Sequence, residues 1–265
     1  MNIGAIELSI LLPALLAGLL VLSTHVPMGQ QVLSRGIVFI DLAIAQVAGL
    51  GVTVASAMGA EPAGWHVQLA ACAAALLGAL VLTWTEKKWP QVQEALIGVL
   101  FVVAACVELL LLANNPHGGE HLKDLLVGQI LWVQVPALIP IAVFYAVALA
   151  IWFFLRHRLG QLGFYVLFAL VVTQSVQLVG VYLVFASLIV PALASRRFAP
   201  RLRLGVGYAV GIVGYVAGLV LSSVLDLPTG AAIVVTLVAS FVLAVIASLV
   251  VPATMRADPE PVPVH

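Results

Sequence analysis

Ionisable side chains are scarce in this chain, and their positions decide what chemistry it can do. Of 265 residues, 63% are hydrophobic and only 8% are Asp, Glu, Lys or Arg. A charged group inside an apolar run is therefore a functional candidate by default. Two stand out: Asp41, near the start of the run Ile37 to Met58, and Glu108, in the far half of the run Ala95 to Ala113. A carboxylate at membrane depth needs a hydrogen-bond partner, a bound cation or a proton. Asp41 lies close enough to its run's end to reach the interface by snorkelling, a purely structural alternative. Glu108 has no such escape.

A third group is the loop NNPHGGEHLKD, which brings His117, Glu120 and His121 within five residues. His-x-x-Glu-His is the order of the inverted zinc-peptidase motif, but that motif needs a helix to aim both imidazoles at one metal, and Gly118-Gly119 works against one. Imidazole and carboxylate oxygen suit zinc or manganese, so the loop reads as a metal-capture site at an outer mouth, with a plain solvated loop as the alternative. His25, His66 and His157 are each isolated and read as interfacial. No nucleophile and base pair with useful spacing, and no glycine-rich phosphate loop is present. An energy source must then be a gradient or another subunit. Cys72 and Cys106 both sit in apolar runs, where small buried thiols are the ordinary reading.

The elements that position these groups are membrane spans. Apolar runs close to the ~20 residues that a bilayer needs cover Ile6 to Val26, Ile37 to Met58, Trp65 to Thr85, Ala95 to Ala113, Val135 to Leu155, Leu204 to Leu225 and Gly230 to Val250. The first lacks a basic leader and a small-x-small cleavage site, so it is expected to be retained. An eighth segment, 164–194, has 31 residues, long for one span and short for two. Charge decides its path. If it turns near Gly180 and returns as a half-helix, ten of the eleven Lys and Arg collect on one face, Arg35, Lys87, Lys88, Arg156, Arg158, Arg196, Arg197, Arg201, Arg203 and Arg256 among them. That is the positive-inside asymmetry, and it puts the N-terminus outside and the C-terminus in the cytoplasm. The fold expected is an all-α polytopic transmembrane bundle of eight apolar segments, one of them broken. A single permease-like domain spans 1–251, and a Pro-rich tail, 252–265, is too polar to cross.

Several spans carry one-face patterns that a lipid-only helix does not need. Gln46, Gly49, Thr53 and Ser56 share a face, as do Gln68, Cys72, Ala75 and Ala79, and Thr173, Gln177 and Gly180. Together they predict a shared polar interior. Gly207, Gly211, Gly214 and Gly218 form a small-residue stripe that predicts close helix packing.

The stretch VGVYLVFASLIVPALASRR, from Val179 to Arg197, resembles the signature of bacterial zinc and manganese ABC importer permeases, the ZnuB/MntB-like membrane subunits. VLSRGIVFIDLAIAQVAGLGVTVA, HLKDLLVGQILWV and LDLPTGAAIVV resemble other segments of that family in the same order. The resemblance implies a bacterial inner-membrane permease that pairs with a second copy, a cytoplasmic ABC ATPase and an extracytoplasmic metal-binding protein. ATP chemistry would reside in the partner, and nucleic acid is no partner. Divalent metal, zinc first and manganese second, would be cargo, with no cofactor tightly held. On this reading Asp41, Gln46, Glu108 and Gln177 line the path, and Gly180 and Pro191 shape the gate. Arg156, Arg158, Arg196 and Arg197 face the ATPase.

Two departures accompany the resemblance. The family's Gly-Asp-Ala-x-x-His-Ala places a His where this chain has Gln46, and its acid one position from Asp41. Amide oxygen is the poorer zinc ligand. The family's Asp-x-x-x-Ala-x-x-x-Gly docking segment is replaced by the short connector RHRLGQLG, Arg156 to Gly163. A stand-alone secondary transporter of a metal ion or small solute is the alternative that this shortening favours, and an intramembrane metalloenzyme built on the His117 loop is a third class.

Overall fold

The computed structural model describes residues 8–60, 64–112, 126–155 and 158–250. Among these residues it contains nine α-helices: α1 (Leu8–Arg35), α2 (Ile40–Ala57), α3 (Trp65–Lys88), α4 (Gln93–Leu112), α5 (Val135–Leu155), α6 (Gly160–Val179), α7 (Val181–Arg196), α8 (Arg203–Leu225) and α9 (Thr229–Val250). Eight are long and apolar enough to cross a bilayer. The exception is α7, whose 16 residues span about 24 Å against a hydrocarbon core of about 30 Å.

The helices alternate in direction. At one end of the bundle, the Phe39 amide just before α2 donates to Glu94 at the start of α4. Gln93 bonds Thr85 near the close of α3, and reaches Tyr165 at the start of α6. Trp152, late in α5, packs its ring on Phe164, and the Arg35 guanidinium lies over the same Phe164 ring at 4.3 Å. Gln30 of α1 meets Ser195 of α7. This end therefore gathers Arg35, Lys87, Lys88, Arg158, Arg196, Arg197, Arg201 and Arg203. The opposite end holds the starts of α1 and α9, the close of α8, and the α6–α7 junction.

The broken stretch follows from that alternation. Helix α6 rises from the basic end as a full-length span, Gly180 turns the chain at φ +83°, and α7 descends to Arg196. What the sequence presents as one interrupted segment is a span followed by a shorter return helix. A backbone at this φ is one that L side chains rarely adopt, so the turn selects glycine.

Helix α1 is longer than its apolar run suggests. It passes through Pro13 and Pro27 and ends at Arg35, so His25 is buried within the helix and does not lie at the interface, its Nδ1 2.9 Å from the Val21 carbonyl. The glycine stripe of α8 does what small residues at that spacing do. A Cβ at Gly207 or Gly211 would meet Val26 and Leu22 of α1, and one at Gly214 or Gly218 would meet Leu237 and Ile233 of α9.

Candidate functional site

Helices α2 and α6 are the most enclosed of the spanning helices. The face of α2 that carries Gln46, Gly49 and Thr53 is buried, and it meets α4, which carries Glu108. Residues 46 and 53 are seven apart, two turns of one helix face, so their side chains bracket the Glu108 carboxylate. The Gln46 Nε2 donates to Oε2, and the Thr53 Oγ1 donates to Oε1 at 2.8 Å. All three side chains are at least 96% buried. Two donors on opposite oxygens are what a carboxylate, which only accepts, requires.

Beside this cluster lies a cavity of about 680 Å³ between α2, α4, α7 and α9. Gln46 lines it, with Phe101, Leu109, Tyr182, Val190 and Val235 among its other walls. It is an apolar space with a polar group on one side, and its size is ordinary for a small-molecule pocket.

The other sequence candidates fall in different places. Asp41 is buried in the first turn of α2, where the helix dipole favours negative charge. Neither of its oxygens takes a well-formed hydrogen bond among the described residues. It sits five residues before Gln46, on a different face, and does not join the Glu108 cluster. Gln177 is exposed on α6 near the Gly180 turn. Gly180 and Pro191 are both buried, at the head and in the body of α7. Arg158, Arg196 and Arg197 are exposed at the basic end. Arg156, His117, Glu120, His121 and the 252–265 tail lie outside the described residues.

Two residues were missed by sequence reasoning as members of functional groupings. Thr53 was visible on the polar face but not as a partner of Glu108. Glu94 was not singled out at all: its Oε1 accepts the Phe39 N–H at 3.1 Å, supplying from α4 the cap that α2 lacks in its own sequence. An acid at the first turn of a span is the signal that points to it.

The profile described as the ABC 3 transport family matches residues 7–164 and 155–248. The chain belongs to the ABC 3 transport family. It is 24% identical over 255 residues to the High-affinity zinc uptake system membrane protein ZnuB of Haemophilus influenzae, an alignment covering 88% of this chain and 96% of that protein. The solved structure of PsaBC from Streptococcus pneumoniae in complex with Fab superposes with a TM-score of 0.72 at 21% identity, covering 91% of this chain and 92% of that one. The shared fold thus extends over 91% of the chain.

Membership makes this a multi-pass membrane protein of a transport family. The two ABC 3 matches overlap at residues 155–164, where α5 ends at Leu155 and α6 begins at Gly160. That is also where the connector is short.

Proposed function

We propose that this chain is the membrane permease subunit of an ABC-type importer of divalent metal ions of the zinc and manganese class. The observation that carries the reading is the Glu108 carboxylate, held between Gln46 and Thr53 deep in the bundle beside a cavity that Gln46 lines. A structural core does not need a buried anion in a chain so poor in charge, whereas a cation path does. Two protomers would flank the path, with Asp41 nearer the basic end and Gln177 nearer the opposite end. Gly180 and Pro191 shape α7, the short helix whose movement would gate it.

The basic end is assigned to the cytoplasm by the positive-inside rule, which puts the N-terminus outside and the C-terminus inside. Arg156, Arg158, Arg196 and Arg197 would then face a partner ATPase, where ATP is hydrolysed. An extracytoplasmic metal-binding protein would deliver cargo to the opposite end, where His117, Glu120 and His121 are candidates for transient capture. The relative named as a zinc uptake membrane protein supports this class of cargo.

Affinity purification of the chain from its native membrane tests the assembly. The reading expects a stoichiometric ABC ATPase, and a deletion strain that grows poorly under divalent-metal limitation and recovers with added zinc or manganese. A chain that purifies alone, in a strain indifferent to both metals, is instead the stand-alone transporter.

A further inference from the structure

At the basic end a smaller cavity, of about 330 Å³, lies where α1 and α7 close and α8 begins. Its walls differ in kind from those of the apolar cavity beside Gln46. Gln30, Ser34, Ser195, Arg196 and Arg203 line it, and its apolar contribution comes only from Leu33 and Ala192. On the buried side, the Gln30 Nε2 donates to the Ser195 Oγ at 3.4 Å, and that hydroxyl donates to the Ala192 carbonyl at 2.9 Å. On the open side, Ser34 and Arg196 are exposed and Arg203 is half-buried. Helices α1, α7 and α8 carry no Asp or Glu, and none lines the cavity among the described residues. The cavity therefore gathers positive charge without an acid from its own walls.

We propose that this cavity binds an anionic phosphate group, presented in the membrane as the headgroup of an acidic phospholipid. Guanidinium is a planar fork of N–H donors that fits phosphate oxygens two at a time. The Arg203 Nε donates to the Phe198 carbonyl at 3.2 Å, which fixes the base of the fork and leaves its two NH2 groups as further donors. Arg196 adds its charge to the same cavity whatever else it bonds. The carbonyls that close α1 and α7 oppose an anion here, and the opening turn of α8, which Leu202 does not cap, favours one; the two arginines decide the sign. Leu193, three residues deeper along α7 than Arg196, and Leu204, next to Arg203, are exposed. Basic groups at the bilayer surface with bare leucines beneath them suit a lipid, its phosphate on the arginines and its chains along the apolar side chains. A phosphate held there ties the end of α7 to α1 and α8. The inference needs only a basic end at the membrane surface and is independent of cargo.

The test is ligand binding to the full-length chain, with the subunits that copurify, after delipidation in dodecyl maltoside. The unfolding midpoint is followed while dioleoyl phosphatidylglycerol, dioleoyl phosphatidylcholine or inorganic phosphate is titrated in, and the half-maximal concentration gives an apparent Kd. The expected result is tighter binding of phosphatidylglycerol than of phosphatidylcholine, weakened on the order of tenfold by Arg203→Gln, the usual loss for a hydrogen bond between charged groups. Lys88→Gln removes a positive charge from the same end but outside the cavity, and leaves the affinity unmoved. If Arg203→Gln does not fold, Ser34→Glu carries the test: Ser34 is exposed, and a carboxylate there must weaken the same binding. Dependence on Arg203 confined to phosphatidylglycerol assigns the site to a lipid headgroup. The same dependence seen with inorganic phosphate, without a preference between the lipids, assigns it to the free anion. Binding of both phosphatidylglycerol and phosphate that is unmoved by Arg203→Gln and Ser34→Glu, or weakened equally by Lys88→Gln, overturns the proposal and leaves the permease reading intact.

Discussion

The Tyr208 hydroxyl in α8 donates at 2.9 Å to the carbonyl of Ser23 in α1. Ser23 stands four residues before Pro27, and Pro27 has no N–H to give back to it. A second helix thus completes the hydrogen bond that the proline removes, and α1 continues to Arg35. Tyr208→Phe is expected to lower stability by about 1 kcal/mol, the usual net value of one such bond. Pro27→Ala returns the N–H, so in that background Tyr208→Phe should cost far less. Thermal unfolding of the four proteins in detergent checks this, and strictly additive shifts would contradict it.

Gly128 and Gly180 approach backbone to backbone. A Cβ on Gly180 would lie 2.4 Å from the Gly128 nitrogen, one on Gly128 would lie 2.2 Å from the Val179 oxygen, and both residues have positive φ. Neither neighbour can yield, because both are main chain. Gly180→Ala and Gly128→Ala should each destabilise by at least about 2 kcal/mol, combining conformational strain with overlap. Size-exclusion chromatography after a heating series reads the effect; a wild-type midpoint for either variant would refute the packing of this turn.

Removing the buried acid separates its bonding from its shape. Glu108→Ala strands the Gln46 amide and the Thr53 hydroxyl, at a cost of about 1–3 kcal/mol for each buried group left without a partner. Glu108→Gln keeps an acceptor for one of them and should be the milder change. The midpoints should therefore rank wild type, Glu108→Gln, Glu108→Ala, and the reverse order of the two variants would show that the bonds are not what holds the carboxylate there.

These contrasts also mark what the sequence makes legible. The turn at Gly180 follows from charge, because only a returning α7 collects the arginines on one face. The polar face of α2 and the isolation of Glu108 follow from spacing and composition. Their meeting does not: residues 46 and 108 lie on different helices, and no local pattern states which helices pack. The first apolar run stops at Val26, whereas α1 continues through Pro27 to Arg35. The helix-breaking tendency of Pro27 is local, whereas the Tyr208 hydroxyl that offsets it comes from 185 residues away. The Glu94 cap on α2 is likewise a tertiary contact, visible only once α4 is set beside it.

Sidedness is open to a direct check. With the basic end in the cytoplasm, a fluorescent protein fused after His265 should be bright, and alkaline phosphatase at the same point inactive. The opposite pair of results would invert the whole bundle, and with it the face assigned to the ATPase.

The most direct test of the central claim is uptake of Mn²⁺ and Zn²⁺ into proteoliposomes that hold the permease with its ATPase. The account predicts ATP-dependent accumulation of at least one of these ions, abolished when the ATPase is inactivated and weakened by Glu108→Ala. ATP hydrolysis without accumulation of either ion, or accumulation that persists without ATP, would contradict it.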